Sequence, residues 1–223
     1  MFQKVNGLDI FYEKTGSGPH SLILVHGNGE DHTIFDRIIA PLSQDFTIYA
    51  LDSRGHGQSG SSDQIGYEAM AADTIAFIQA LELVKPVFYG FSDGGIIGLL
   101  VACTCPDLLS RLMVSGANTT PQGVKPKWLV LFHIIHMLSR DKKVGMLLNE
   151  PHITREMLQR ITVPTLVLAG SRDMVRESDT RFIADSIDGS TLRILEGEGH
   201  MSYVIHSPKL VPIIQAFIQD NPL

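Results

Sequence analysis

In Val87-Phe88-Tyr89-Gly90-Phe91-Ser92-Asp93-Gly94-Gly95-Ile96-Ile97-Gly98 an apolar run reaches a serine between glycines, then gives way to a second apolar run. The first run is short and strand-like, the second helix-like. In that context the G-x-S-x-G pattern of Gly90 to Gly94 reads as a sharp strand-to-helix turn carrying a serine. Such a turn strains the serine backbone, and flanking glycines remove side chains that would collide there. A helix starting at Asp93 aims its first N–H groups at negative charge developing on a substrate. A Gly-rich turn with an incidental serine would look the same, so the rest of the chain decides between them.

Strand followed by turn recurs on both sides of this stretch. Ser21–Val25 ends in His26-Gly27-Asn28-Gly29, and Phe46–Leu51 ends in Asp52-Ser53-Arg54-Gly55-His56-Gly57. Arg111–Val114 ends in Ser115-Gly116, Thr165–Ala169 in Gly170, and Thr191–Leu195 in Glu196-Gly197. Val/Ile/Leu-rich runs without alternation suit strands covered on both faces. Helical periodicity fills the gaps at Ile34–Leu42, Glu68–Leu83, Gly95–Cys103, Asp179–Ile187 and Leu210–Gln219. Asn6-Gly7 separates Phe2–Val5 from Leu8–Glu13, a hairpin signal. The alternation predicts an α/β fold: a parallel sheet with helices on both sides and an antiparallel hairpin at one edge. Ala117–Ile161 carries no strand signal and is expected to be a helical insertion.

Bulk properties narrow the class. The 223 residues suffice for one domain with a full core, expected to span 1–223 with a cap at about 121–152. Hydrophobic content of 44% and charged content of 19% are those of a globular protein. The net charge of −6, without a basic stripe, argues against nucleic acid as a partner. The longest apolar run, Trp128–Leu138, is broken by His133 and His136 and falls short of the roughly 20 residues of a bilayer span. Cys103 and Cys105, two apart, are poorly placed to bridge and too sparse for zinc. With no secretory pattern after Met1, a cytoplasmic location is expected.

The serine needs a base and an acid. In a strand–turn–helix hydrolase the chain order is serine, acid, histidine, which leaves His133, His136, His152, His200 and His206. Only His200 sits in a Gly-rich loop just beyond a strand, where a neutral imidazole can take the serine proton and return it to the leaving group. Asp173 follows the strand Thr165–Ala169 and reaches the same sheet edge, while Asp179, Asp185 and Asp188 fall on or after a helix. The carboxylate would orient His200 and stabilise its cation. The backbone N–H groups of Asn28 and Asp93 are the expected oxyanion donors. His26 is assigned to the structure of its turn. The Asp93 carboxylate could either face the pocket and favour an ammonium-bearing substrate or cap its own helix.

These motifs, in this order, closely resemble the α/β-hydrolase family over essentially the whole chain, including a D-x-R-G-x-G-x-S loop at Asp52–Ser59. The resemblance implies a mostly parallel eight-stranded sheet with a short helical cap after the sixth strand. It also implies a cofactor-free, metal-free serine hydrolase of a small carboxylic ester or related acyl compound. Cleavage of a C–C bond in a diketone-type substrate, or ligand binding without turnover, are the alternatives. A serine at position 92 argues against the dehalogenase and epoxide-hydrolase branches, which carry aspartate there. The cap is expected to set substrate choice, with Trp128, Phe132, His133 and His136 as contacts.

Overall fold

The computed structural model describes residues 1–223. Phe2–Val5 (β1) and Leu8–Thr15 (β2) form the predicted hairpin. Asn6 and Gly7 between them both take positive φ, 48° and 82°, as a two-residue turn matched to strand twist requires. The remaining strands are His20–Val25 (β3), Phe46–Leu51 (β4), Val87–Phe91 (β5), Arg111–Ser115 (β6), Thr165–Gly170 (β7) and Thr191–Leu195 (β8). All lie in one eight-stranded sheet of order β1-β2-β4-β3-β5-β6-β7-β8. β2 meets β4 antiparallel, and every pairing from β4 onward is parallel.

The helices are Asp36–Leu42 (α1), Tyr67–Ala80 (α2), Asp93–Thr104 (α3), Pro126–Ser139 (α4), Lys142–Asn149 (α5), Arg155–Leu158 (α6), Glu177–Ser186 (α7) and Leu210–Asp220 (α8). The absence of alternation in the strands has its cause in two cores. Ile23 and Val25 of β3 join a cluster with α2, α3 and α7, whereas Leu22 and Leu24 join one with α1 and α8. Leu112 and Val114 of β6 divide from Met113 in the same way. Both faces of β3 to β7 are buried, so apolar residues run along them almost without interruption, whereas the edge strand β8 is partly exposed and carries Arg193. α2 stops short of the predicted Leu83 because Glu82 turns left-handed, at φ 52°.

The chain goes from β3 to one neighbour, β4, and later to the other, β5. A crevice therefore opens beyond the carboxyl ends of β3 and β5, where ligands of open α/β sheets bind. The turns after β3, β5, β6, β7 and β8 all emerge at this end. The segment between β6 and β7 supplies α4, α5 and α6, the helical character expected there. α6 packs against α7, away from the crevice, while residues of α4 and α5 lie over it.

Candidate active site

Ser92 sits between β5 and α3 at φ 53°, ψ −114°. For a residue with a side chain this costs on the order of 1–3 kcal/mol. The surroundings enforce it: the Ser92 N–H donates to Ser115 O at 2.7 Å, at the end of β6. The glycines have a steric reason. A Cβ on Gly90 would lie 2.0 Å from Gly94 O, and one on Gly94 would lie 2.1 Å from Val25 O. Helix α3 thus packs its first turn directly against β3, which only Gly94 allows.

Ser92 Oγ lies 3.1 Å from His200 Nε2, and His200 Nδ1 lies 2.6 Å from Asp173 Oδ1. The three residues come from loops after β5, β7 and β8, with Ser92 and Asp173 108 and 27 positions from the histidine along the chain. With Nδ1–H donating to the carboxylate, Nε2 is left to accept the serine hydroxyl. Asp173 is anchored from behind by the Val175 N–H on Oδ1 at 2.9 Å and the Gly170 N–H on Oδ2 at 3.4 Å. Burial alone would raise its pKa, but the His200 hydrogen bond and charge and the two backbone donors outweigh that, holding it below the ordinary value. A hydroxyl on an imidazole that is oriented by a buried anion is the arrangement that activates serine as a nucleophile.

The loop after β3 lies alongside. Asn28 N–H has no acceptor within the chain, and Asp93, first residue of α3, has no intrahelical acceptor for its N–H. The Asn28 side chain donates to Asp93 Oδ2 at 2.9 Å, while Tyr67 OH donates to Oδ1 at 2.7 Å. Both oxygens of this buried carboxylate are therefore occupied, and it neither lines the cavity nor caps α3. It fastens the loop to α2 and α3. Burial raises Asp93 to about 6, against the two hydrogen bonds, which lower it. His26 is fully internal to the turn, Nδ1 on Gly27 O at 2.7 Å and Nε2 accepting Ser53 N–H at 3.0 Å. Burial, then the neighbouring His56, pushes it down to about 4, so it stays neutral.

Between these groups and α4 and α5 is a cavity of about 190 Å³. Its floor is Ser92, His200, Asn28 and Gly116, and its apolar wall is Val124, Phe132, Ile135, Val144 and Leu147. Of the four cap residues expected at the substrate, only Phe132 is on this wall. Trp128 is half-buried under the Lys127 side chain, whose Nζ is 5.6 Å from its ring. His133 is exposed and bonds Leu129 O of its own helix, and His136 bonds Asp141 O between α4 and α5. These three are corrections to the expected set: α4 is apolar on most sides, so spacing could not tell its inner face from its outer.

Glu30, missed in the sequence, also lines the cavity and accepts Gly27 N–H at 3.0 Å. Burial pushes it up to about 7, opposed by the Gly27 N–H and His200 and reinforced by Asp93 and Asp31. The one grouping that could share a cation is Asp31, His32 and Asp52, with donor atoms within 4.8 Å. Its groups are already engaged. Asp52 Oδ1 accepts the N–H and Nδ1–H of His32, both at 2.8 Å, and Oδ2 accepts Gln58 N–H at 2.8 Å.

A family model described as the alpha/beta hydrolase fold matches residues 20–138. The chain belongs to the α/β-hydrolase fold family. This hydrolase is 27% identical to the human serine hydrolase BPHL, over 96% of this chain and 84% of that protein. It is 31% identical to an uncharacterized protein of Mycobacterium tuberculosis, over 99% of this chain and 81% of the other. Among solved structures, an enol-lactonase from Burkholderia xenovorans superposes with a TM-score of 0.81 at 19% identity, covering 98% of the hydrolase and all of that chain. No helix of the hydrolase is long and apolar enough to cross a membrane.

Proposed function

We propose that this hydrolase cleaves a small carboxylic ester or related acyl compound through an acyl-enzyme on Ser92. The observation that carries the reading is the unbroken chain Ser92 Oγ–His200–Asp173 at 3.1 and 2.6 Å, facing a largely apolar cavity. Ser92 Oγ attacks the carbonyl carbon while His200 Nε2 takes its proton. The oxyanion moves between the Asn28 and Asp93 N–H groups, and His200 then passes the proton to the departing alkoxide. Water repeats the sequence on the acyl-enzyme and frees Ser92. Proton transfer and charge stabilisation come from the chain's own groups, so no cofactor takes part. The human relative's description as a serine hydrolase supports the role of Ser92. Purified protein incubated with a fluorophosphonate and with p-nitrophenyl esters of graded chain length tests the reading. It is lost if a labelled or hydrolysed product never forms.

Residues 121–152 act in this reading as the cap that sets substrate size. A cavity of about 190 Å³ is below the roughly 300 Å³ at which drug-sized ligands begin to fit. Turnover is expected to peak at short acyl chains. Phe132→Ala removes a wall, and should lower KM for longer esters by about tenfold with little change in kcat, as uniform binding does. Trp128→Ala, off the wall, should leave the chain-length profile as it was. The cap assignment fails if the two variants behave alike.

The pH profile should carry an alkaline limb. Glu30 is neutral below about 7 and anionic above it. The anion then lies beside the oxyanion that the Asn28 loop must stabilise. kcat/KM is expected to fall several-fold between about pH 7 and 9. Glu30→Gln keeps an acceptor for Gly27 N–H and should flatten that limb. The same proton bears on stability. Because the folded-state pKa is raised from 4.5 to about 7, the wild type loses stability as pH rises through that window, and the glutamine variant does not. An alkaline limb identical in both proteins would exclude Glu30 as its source.

A further inference from the structure

α4 is a fourteen-residue helix without one fully buried side chain. Its inner side carries Phe132 to the cavity. Its outer side exposes Val130, Leu131, Ile134, Met137 and Leu138, with Leu138 76% and Met137 63% accessible. Isolated exposed apolar residues need no explanation, but a contiguous stripe of this kind marks an interaction surface. The stripe also continues into the active-site cavity, since Ile135 and Met201 are both exposed and both line it.

The charges flanking the stripe select the occupant. From Lys125 to Arg140 there is no acidic residue, in a chain whose net charge is −6. Lys127 in the first turn of α4 and Arg140 just past its end are exposed cations, whereas Lys125 is held by Asp173 O and Lys142 by Asp63. Cations after a helix are favoured by its dipole, but Lys127 in the first turn opposes it, so helix stability does not account for Lys127. Of the nearby acids, Asp63 is paired with Lys142 at 2.6 Å and Asp141 caps α5 through Lys143 N–H. A second copy of the chain fits poorly. Laid parallel or antiparallel, two α4 helices would set one basic end against another.

We propose that α4 is an interfacial helix, docking this hydrolase on an anionic lipid surface with its cavity mouth turned toward the bilayer. The apolar stripe enters the acyl boundary, the basic ends meet lipid phosphates, and a lipophilic substrate passes between Ile135 and Met201 without crossing water. The protein lies on the membrane and does not span it.

The chain's single tryptophan, Trp128, is on α4 and reports on this directly. Full-length protein is mixed with vesicles of phosphatidylcholine alone and with vesicles containing 30% phosphatidylglycerol. Co-flotation and a blue shift of Trp128 emission are expected with the anionic vesicles, at least tenfold tighter than with the neutral ones and weakened by salt. Leu131→Glu combined with Ile134→Glu should abolish both signals while hydrolysis of a water-soluble acetate ester continues. Lys127→Glu with Arg140→Glu should remove the preference for anionic lipid. Binding is read without turnover, so its failure is separate from failure of the ester-hydrolase reading. No flotation, or equal affinity for the two vesicle types, overturns the proposal. So does a wild-type dimer in light scattering that the Leu131/Ile134 variant converts to monomer, since a second copy would then cover the stripe.

Discussion

Ser92→Ala is expected to lower kcat by about 10⁴- to 10⁶-fold while leaving the fold intact, and His200→Ala to do nearly the same. The size follows from the unit they form. Without Oγ there is no atom to acylate, and without the imidazole nothing within 3.1 Å can take its proton. Asp173→Asn should cost about 10⁴-fold for a reason visible in its neighbours. The carboxylate receives His200 and Val175 N–H on one oxygen and Gly170 N–H on the other. A carboxamide has one acceptor, so whichever way it turns, its NH₂ faces a donor. The ring then loses either its orientation or its anion. A fluorophosphonate should label the wild type at Ser92 alone, and none of the three variants at a comparable rate. Label on any other serine, or undiminished ester turnover in Ser92→Ala, would end the assignment.

The sheet could be read from the chain because β3 to β7 are buried on both faces, leaving uninterrupted apolar runs such as Leu22–Val25 and Leu166–Ala169. The turns were legible for a steric reason, since Gly90 and Gly94 tolerate no Cβ. Local sequence carried less about what surrounds them. Tyr67, at the start of α2, is 26 positions from Asp93, and Asn28 is 65 positions from it, yet the three hold one another across the site. Nothing in the spacing announces such a contact. Glu30 follows an oxyanion-type turn closely enough to be noticed, but its altered ionisation comes from burial, which sequence does not give. The cap misled for the opposite reason. α4 has apolar residues nearly all round, so Trp128, His133 and His136 looked as good as Phe132, and only the packed helix shows which side faces the cavity.

The same packing links the cap to the chemistry. Asn28 Nδ2 donates to Asp93 and also, at 3.3 Å, to Lys143 O in α5. Lys125, at the start of α4, donates Nζ to Asp173 O at 2.5 Å. The helices over the site are therefore tied to the oxyanion-type loop at one end and to the loop of the acid at the other.

Gly116→Ala is the smallest change expected to have a large effect. Gly116 follows β6 at φ +62°, and a Cβ there would lie 2.7 Å from His200 Cε1 and 2.9 Å from Nδ1. Contacts that short do not persist, and the neighbouring atoms belong to the ring that bridges Ser92 and Asp173. The ring must shift, lengthening one of its two hydrogen bonds. Displacements of about 1 Å in such a unit cost on the order of 100-fold in rate. kcat should fall by about that factor with KM little changed, and fluorophosphonate labelling of Ser92 should slow in parallel. A left-handed alanine also costs roughly 1–2 kcal/mol of stability wherever it is placed. Gly189→Ala isolates that part, for Gly189 has φ +68° and nothing within 4 Å of its would-be Cβ. The two variants should unfold at similarly lowered temperatures, with activity lost only at position 116. Equal kcat in both would mean that His200 has room to yield, and that the close approach of Gly116 to the imidazole does not constrain the reaction.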